Sequence, residues 1–252
     1  MLNKINKKGE LTTQQIVLLV ILIVSFVIIL FFFSRLNLKD ESQKQICHNS
    51  VVLKDKSLVG TTPLDCRTNY VCISGGGKCD GITPSQTYEV NPKNKSQILR
   101  AVVMEMSDCW WQFGEGKLDY VGVGNKGVGI NTCAVCSIVK FDKTIQDNAG
   151  EITYSDLINE LNKPKDKTET YLKYLYGVDS PKELYETFEN IKDDVDSGRK
   201  IPLNGKFMIR TGFAAGFLFG IPIVDPNIII YPYFFETNDI PDPQCTVFVT
   251  KA

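Results

Sequence analysis

The hydrophobic pattern of the chain is dominated by one long apolar run near the amino terminus. Positions 16–33 read IVLLVILIVSFVIILFFF, in which Ser25 is the sole polar residue and no charge, Gly or Pro occurs. At about 1.5 Å per residue the run covers about 27 Å, close to the thickness of the hydrocarbon layer of a bilayer. A core helix of a soluble protein would present a polar side, which this run lacks. The pattern predicts a transmembrane helix over 16–33.

The charges beside this run predict its orientation. Three lysines lie within the first eight residues, whereas the two basic residues of 34–41 are accompanied by two acidic ones. Because positively charged flanks stay on the cytoplasmic side, residues 1–15 are predicted to form a cytoplasmic basic tail and residues 34–252 to lie outside the cell membrane. A cleaved secretory peptide fits less well, since the run exceeds the usual apolar core of such peptides and no small-x-small cleavage site follows it.

Beyond the span, the spacing of apolar residues changes from irregular to helical to strand-like. Residues 36–92 are rich in Cys, Gly and Thr and are predicted to be a Cys-rich, irregular or short-stranded segment. In 94–113 the apolar positions recur every three or four residues, which predicts a helix with Asn94 as its cap and Gly114 as its stop. Thr153 begins another predicted helix, and 168–177 forms a shorter one.

The carboxyl-terminal part combines one further helix with several strands. Ser180 followed by Pro181 predicts a helix that continues to Gly198. Residues 118–123 and 128–142 are predicted to form a hairpin, and KFMIRTGF, NIIIYPYFFE and TVFVTK to be strands, with Pro232 marking an edge or a bend. The fold class predicted is therefore α+β, with a core over 93–252 that holds an antiparallel or mixed sheet.

Length and charge narrow the function classes. The chain has 252 residues, a formal net charge of −1 and a pI near 6.0. Nucleic-acid binders are usually strongly basic, so no nucleic-acid partner is expected. The membrane is the partner that the sequence itself indicates.

Cysteine usage agrees with an external location. All the cysteines fall beyond the apolar run, and their even number indicates disulfides formed outside the cytoplasm. The sequence leaves the pairing open. The predicted disulfide residues are Cys47, Cys66, Cys72, Cys79, Cys109, Cys133, Cys136 and Cys245.

The cysteines also allow two chemical roles, redox catalysis and zinc binding. Cys133 and Cys136 form CAVC, the spacing of a thiol–disulfide oxidoreductase, but the residues after them alternate like a strand instead of opening the helix that lowers the thiol pKa. Zinc ligation is disfavoured because the other cysteines lack a second CxxC pair, and neither a metal nor a cofactor is expected. His48 is the only histidine, so no Ser/His or Cys/His triad confined to one chain is expected.

The run DCWWQFGEGKLDY, residues 108–120, is the strongest candidate for a binding site. Trp110 and Trp111 are candidates for a stacking platform for a sugar or a cation. Glu115 and Asp119 are candidates for a hydrolytic acid and base pair. Because adjacent helical residues point about 100° apart, at least one of the tryptophans is expected to pack inward. The GxGxxG spacing within 122–127 does not open a helix, so it is interpreted as a turn and not as a dinucleotide site.

The amino-terminal sequence KKGELTTQQIVLL resembles the class III signal peptide of archaeal type IV pilin-like proteins. The resemblance implies cleavage after Gly9 and a mature chain that starts at Glu10, with the apolar helix kept as anchor and assembly stem. Gln14 stands where that family usually has Glu, which bears on filament assembly more than on recognition by the peptidase. DCWWQFGEGKLDY, CAVC, MIRTG and IIIYPYF together also resemble membrane-anchored proteins of small-genome archaea, a likeness that implies no activity.

These observations predict a membrane-anchored protein of the cell surface or envelope with a structural or binding role, processed like a pilin subunit and associated with other envelope or pilus-like subunits. No complete catalytic set is present, so a non-enzymatic role is favoured. The alternative is an external enzyme that uses either Cys133 and Cys136 or Glu115 and Asp119.

Overall fold

The computed structural model describes residues 13–35, 38–57, 63–121, 132–213, 216–218, 221–223, 229–236, 245 and 247–250. The chain divides into two compact units, Met1–Glu41 and Ser42–Ala252. Gly9 and Glu10, the predicted processing residues, lie outside the described residues, as do residues 122–131, where the glycine-containing turn was predicted.

The described helices and strands follow one another in a mixed order. The helices are α1 (Thr13–Arg35), α2 (Leu38–Lys56), α3 (Lys95–Gln112), α4 (Lys143–Asn148), α5 (Tyr154–Leu161), α6 (Tyr171–Tyr176), α7 (Pro181–Thr187) and α8 (Glu189–Asp196). The strands are β1 (Asn69–Ser74), β2 (Gln86–Glu89), β3 (Thr132–Phe141), β4 (Phe207–Phe213), β5 (Gly216–Leu218), β6 (Ile221–Ile223), β7 (Ile229–Glu236) and β8 (Val247–Phe248).

Helix α1 contains the predicted span. Its stretch Gln14–Phe31 is long and apolar enough to cross a membrane, and none of these residues is buried within the protein. The hydroxyl of Ser25 donates hydrogen bonds to the carbonyls of Ile21 at 2.8 Å and Leu22 at 3.0 Å. The one polar side chain of the run 16–33 is therefore satisfied by its own helix, which removes most of its cost in an apolar environment.

The main sheet is mixed, in the order β2-β1-β3-β4-β7. Strand β1 runs parallel to β2 and β3, whereas β4 runs antiparallel to β3 and β7. Strand β8 pairs in parallel with the first residues of β3, and β5 and β6 form a separate two-stranded sheet. The α+β class with a mixed sheet is confirmed. Strand β3 lies at the centre, which suits its nearly continuous burial.

Helix α3 forms the centre of the core. It packs on the sheet through β3, β4 and β7 and also contacts α5 and α6. Ile98, Val102 and Val103 of this helix have no exposed surface. Burial of each such side chain contributes about 1.5–3 kcal/mol. A smaller cluster around Ile138 and Met208 is separate from this core.

Several predicted helix ends are confirmed. The Asn94 side chain accepts a hydrogen bond from the Gln97 amide, and Gly114 has a left-handed backbone with φ of 78°. Thr153 forms a reciprocal capping box with Asp156 at the start of α5. Strand β7 is at the end of the sheet order, and its pairing with β4 shifts register beside Pro232, as the edge-or-bend prediction requires.

Three sequence predictions are corrected by the fold. Residues 36–92, predicted to be irregular or short-stranded, do contain the short strands β1 and β2, but they also contain the 19-residue helix α2, which was not predicted. The single helix predicted over 180–198 is divided at Phe188, whose φ of −127° and ψ of 89° are not helical. The predicted hairpin does not form with residues 118–121, which are not in a strand; β3 pairs instead with β1, β4 and β8.

A buried carboxylate joins four of these elements. Glu105 of α3 has no exposed surface. Its Oε1 accepts hydrogen bonds from Lys44 Nζ of α2 at 3.0 Å and from the Tyr88 hydroxyl of β2 at 2.6 Å. Its Oε2 accepts one from the Ser137 hydroxyl of β3 at 2.8 Å. Lys44 also contacts Asp108 at 2.5 Å. We call these five residues the Glu105 cluster.

The charges of the Glu105 cluster stabilise one another. Burial lowers the pKa of Lys44, but the neighbouring carboxylates of Glu105 and Asp108 outweigh this and leave that pKa above its ordinary value. Burial, reinforced by the charge of Glu105, raises the pKa of Tyr88 well above its usual range. At neutral pH the cluster therefore contains a protonated lysine and a neutral tyrosine.

We expect Lys44→Met to lower the free energy of unfolding by about 3–5 kcal/mol at pH 7, because it leaves a carboxylate buried without its cation. The measurement is denaturant unfolding of the full chain in detergent under non-reducing conditions. Lys182→Met is the matched control, since Lys182 is exposed and its pair with Glu186 spans 3.8 Å. The control should change stability little.

The pH dependence of this difference has a defined sign. A raised folded-state pKa stabilises the fold at pH values below the ordinary lysine value of 10.5, and this contribution is lost as the pH rises through the folded-state pKa. The gap between wild type and Lys44→Met should therefore persist from neutral pH to the ordinary lysine value and shrink at strongly alkaline pH. Equal stability of the two proteins at pH 7 would contradict the assignment.

Candidate functional site

A left-handed turn after α3 positions the candidate site. Gly114, Glu115 and Gly116 have φ values of 78°, 56° and 70°. Glu115 is the non-glycine residue with positive φ among those that the structure describes. A Cβ atom at Gly114 would lie 2.5 Å from the side chain of Leu118, so the turn requires glycine there. Non-glycine residues in this conformation are uncommon and often lie at functional positions.

The turn forms one wall of a cleft of about 520 Å³, which we call the Trp110 cleft. The end of α6 and the segment before it form the opposite wall. Together the two walls carry three ammonium and two carboxylate groups and two aromatic side chains. The lining residues are Trp110, Glu115, Lys117, Lys165, Glu169, Lys173, Tyr174, Leu175 and Gly177.

Hydrogen bonds and ion pairs order the polar side chains of the Trp110 cleft. Glu115 accepts a hydrogen bond from the Tyr174 hydroxyl at 2.8 Å and one from Lys117 Nζ at 2.7 Å. Lys165 Nζ lies 4.0 Å from the centre of the Tyr174 ring, a cation–π contact, and 3.6 Å from Glu169. The cleft therefore presents cations, carboxylates and an aromatic ring in fixed positions.

The ionisation of this cleft suits binding better than proton transfer. Burial raises the pKa of Glu115, but the hydrogen bonds from Lys117 and Tyr174 outweigh it and hold that pKa below its usual range. Burial and the Glu115 charge raise the pKa of Tyr174 far above neutrality. General acid–base catalysts need a pKa near the working pH. Neither group meets that condition.

Asp119, the other half of the predicted acid and base pair, does not line the Trp110 cleft. Its amide donates to Asp55 Oδ1 at 2.8 Å, and its Oδ1 accepts from the Val121 amide at 3.2 Å. Asp119 thus holds residues 119–121, which follow the cleft residues in the chain, by these two hydrogen bonds. The structure does not bring Glu115 and Asp119 together in one cleft.

The two adjacent tryptophans have different environments. Trp110 is buried and lines the cleft, whereas Trp111 is half-buried and stacks on His48 with ring centres 4.2 Å apart. His48 Nδ1 lies 2.8 Å from the Trp111 carbonyl, to which it donates as the protonated nitrogen. The expectation that at least one tryptophan packs inward is confirmed. The two indoles do not form a joint platform, and Trp111 connects α3 to α2.

The cysteines pair as four disulfides, each linking residues that the sequence alone could not match. The pairs are Cys47–Cys66, Cys72–Cys79, Cys109–Cys136 and Cys133–Cys245. No cysteine is free.

The CAVC motif lies within β3 and does not form a bond between its own sulfurs. Cys133 pairs with Cys245 and Cys136 with Cys109, and both motif cysteines are buried. The β3–β4 register shifts at Cys136, between the pairs that Val135 and Ser137 make with β4. A CxxC redox site needs its two sulfurs to share a bond near a helix start, and this geometry does not provide one.

A second ordered site, which the sequence analysis missed, surrounds Asp142. Its Oδ2 accepts hydrogen bonds from the amides of Gly75 at 3.0 Å and Gly77 at 2.6 Å and from the Ser74 hydroxyl at 3.1 Å. Its Oδ1 accepts from the Ile145 amide at 2.8 Å and so caps α4. Amides arranged in this way bind anions, and here the anion is a side chain of the same protein.

The ionisation of Asp142 follows from those donors. Burial raises its pKa, but the hydrogen bonds from the Ile145, Gly75 and Gly77 amides and from Ser74 outweigh this and lower it overall. The only trace of this site in the sequence is the run SGGG at 74–77. Its composition predicts a loop, but it does not show that the loop donates hydrogen bonds to Asp142. Among the described residues, His, Cys, Asp and Glu side chains do not gather into a set that could hold a metal ion.

Comparison with known proteins gives no match to the chain, whether with family models, with curated proteins or with solved structures.

We expect Asp142→Asn to lower the free energy of unfolding by about 2 kcal/mol at pH 7, because an amide cannot accept from all four donors and leaves buried N–H groups unsatisfied. The measurement is thermal unfolding of the full chain in detergent. Asp147→Asn is the control, since Asp147 is exposed and its ion pair with Lys143, at 2.8 Å, is a surface i,i+4 contact.

Acid should remove the same difference. A lowered folded-state pKa stabilises the fold above the ordinary aspartate value of 3.8, and the contribution is lost as the pH falls through the folded-state pKa. Wild type and Asp142→Asn should therefore converge in stability in strong acid. A constant difference from pH 7 down to pH values below the folded-state pKa would argue against the charge of Asp142 as the cause.

Proposed function

We propose that the chain is a single-pass, membrane-anchored protein of the cell surface or envelope, whose disulfide-stabilised domain serves structural association or ligand binding outside the cell membrane. One observation carries the proposal: an 18-residue apolar stretch with no burial in the protein is followed by a unit in which all the cysteines are disulfide-bonded. Lipid removes the cost of exposing that stretch to water, which is about 25 cal/mol per Å² of apolar surface.

The disulfides and the flanking charges support the proposed orientation. Disulfides form and persist in oxidising compartments and are rare in the cytosol. The three lysines that precede the apolar stretch favour a cytoplasmic amino terminus. Both observations support the proposal that residues 34–252 lie outside the cell membrane.

The Trp110 cleft supports a binding role over a catalytic one. Its carboxylate Glu115 is held ionised by two donors, and its tyrosine is held neutral. The only histidine of the chain stacks on Trp111 and is engaged with the Trp111 carbonyl. A concave surface with fixed polar groups and an aromatic wall is the usual form of a site that binds a small ligand or a protruding side chain.

The resemblance of KKGELTTQQIVLL to class III signal peptides extends the proposal to processing. Under it, a peptidase on the cytoplasmic side cuts after Gly9, and α1 remains as the stem through which the chain associates with other envelope or pilus-like subunits.

Topology tests the central part of the proposal. Carboxyl-terminal fusions to alkaline phosphatase and to green fluorescent protein should give an active phosphatase and a dark fluorescent protein, because each folds on one side of the membrane only. The cysteines should resist maleimide until a reductant is added. Replacing Lys4, Lys7 and Lys8 by Glu is the matched control, and it should weaken the orientation.

The opposite pattern, a fluorescent fusion with thiols that react without reductant, would place the domain in the cytosol and overturn the proposal. If the phosphatase fusion is active but the wild-type protein is released from membranes by carbonate, the external location stands and only the membrane anchor is overturned.

Processing is tested separately by mass spectrometry of the intact chain after co-expression with an archaeal prepilin peptidase. We expect a product that starts at Glu10, and we expect Gly9→Val to stay uncut because the peptidase requires the small residue before the cut. Wild-type chains that keep Met1 in the presence of an active peptidase would remove the pilin-like part and leave the anchored topology intact.

A further inference from the structure

The Cys133–Cys245 disulfide differs from the others in its access to solvent. Cys245 is half-buried, whereas both cysteines of the other three disulfides are buried, as is Cys133. An exchange reagent needs to reach one sulfur of a bond in line with the other. Because Cys245 has the largest exposed fraction of the cysteines, Cys133–Cys245 is the disulfide most accessible to such a reagent.

The chemical surroundings of this disulfide are also different. Nη1 of the buried Arg210 lies 2.7 Å from Cys245 Sγ and 3.5 Å from Cys133 Sγ. The polar contacts of the other disulfide sulfurs are with neutral groups: Cys66 with the Ser50 hydroxyl, Cys79 with the Lys140 carbonyl and Cys136 with the Ala134 carbonyl.

The position of Arg210 fixes this contact. Arg210 lies in β4 opposite Val135 of β3, within the centre of the sheet, so its guanidinium is held beside the two sulfurs by the backbone register. A neighbouring guanidinium stabilises a thiolate and lowers the thiol pKa, and a thiol of lower pKa is the better leaving group. This disulfide therefore combines an accessible sulfur, that of Cys245, with a stabilised leaving group, the sulfur of Cys133.

We propose that Cys133–Cys245 is a thiol-exchange site that an external dithiol reduces while the other three disulfides stay intact. A thiolate of the dithiol attacks Cys245 Sγ, the Cys133–Cys245 bond breaks, and its electron pair leaves on Cys133 Sγ beside Arg210. In the resulting mixed disulfide, one sulfur of the dithiol is bonded to Cys245. The second thiolate of the dithiol attacks that dithiol sulfur and displaces Cys245 as a thiolate. The dithiol becomes a disulfide, and its two protons pass to solvent or to the new thiolates.

Reduction removes the covalent tether of the carboxyl-terminal segment. Strand β8 has two residues, and beyond it the Val249 amide donates to the Cys133 carbonyl at 2.9 Å while Thr250 Oγ1 accepts from the Val135 amide at 3.0 Å. Such short strands are marginal without a covalent link. We expect the segment from Cys245 onward to separate from β3 after exchange.

This inference goes beyond the proposed function, since it rests on the surroundings of one disulfide and not on membrane anchorage. Failure of the topology experiment would leave it standing, and its own failure would leave the anchor standing.

The test is a dithiothreitol titration of the full chain in detergent, with free thiols blocked by iodoacetamide and each disulfide quantified by mass spectrometry of its peptides. We expect Cys133–Cys245 to be half-reduced at a dithiothreitol concentration about tenfold lower than any other pair. Arg210→Met should raise that concentration about tenfold, and Arg210→Lys, which keeps a cation, should stay closer to wild type. Arg100→Met is the matched control, since Arg100 is a half-buried arginine whose guanidinium lies 4.5 Å from the centre of the Tyr171 ring and away from the disulfides.

Reduction of another pair first, or an unchanged titration of Arg210→Met, would overturn the proposal. If Arg210→Met fails to keep its other three disulfides, a wild-type measurement decides. The rate of Cys133 alkylation in the partly reduced protein is followed against pH, because Cys133 is the leaving thiolate that stays beside Arg210 in the sheet. A midpoint below the ordinary thiol value of about 8.5 supports the site, and a midpoint at or above it overturns the site.

Discussion

A carboxylate without partners cannot remain charged inside a protein, and this constraint determines how the elements of the larger unit meet. Glu105 is fully buried on the central helix α3, and its oxygens are satisfied by Lys44, Tyr88 and Ser137, which come from α2, β2 and β3. No single one of these elements supplies enough donors. The charge of Glu105 therefore specifies one arrangement of the four, because any shift of α2 or β2 would leave the carboxylate under-satisfied.

Covalent links reinforce the same arrangement at different ranges. Cys72–Cys79 closes a separation of 7 residues and Cys47–Cys66 one of 19, so they hold local segments around β1 and α2. Cys109–Cys136 joins α3 to β3, and Cys133–Cys245 closes a separation of 112 residues. Longer closed loops remove more conformational entropy from the unfolded chain, so the last bond constrains it most. The half-buried position of Cys245 makes this bond also the most accessible of the four.

Apolar spacing and capping residues predicted those helices and strands whose formation depends on interactions between neighbouring residues in the chain. The three-and-four spacing of apolar residues and the cap at Asn94 gave α3 correctly, and the alternating runs gave β3, β4 and β7. Helix α2 was missed because its buried positions, Lys44, Cys47, Ser50 and Val51, include a lysine and a serine. The partners of Lys44 lie 61 and 64 residues further along the chain. The break at Phe188 was missed because its apolar spacing is helical while its backbone is not. For the site, the run 108–120 contains Trp110 and Glu115, and the structure shows that both line the Trp110 cleft. The opposite wall from α6 and the separation of Asp119 depend on tertiary contacts that spacing cannot show.

The Cys133–Cys245 bond has a mechanical consequence. A pulling force applied at the carboxyl terminus enters the domain through Cys245 and passes at once to β3, the middle strand of the sheet, and then through Cys136 to α3. Load delivered to a central strand shears many backbone hydrogen bonds together, whereas load on a terminal strand peels them one at a time. With the bond intact the domain resists tension applied at that end, and with the bond opened the same tension unzips only the short β8.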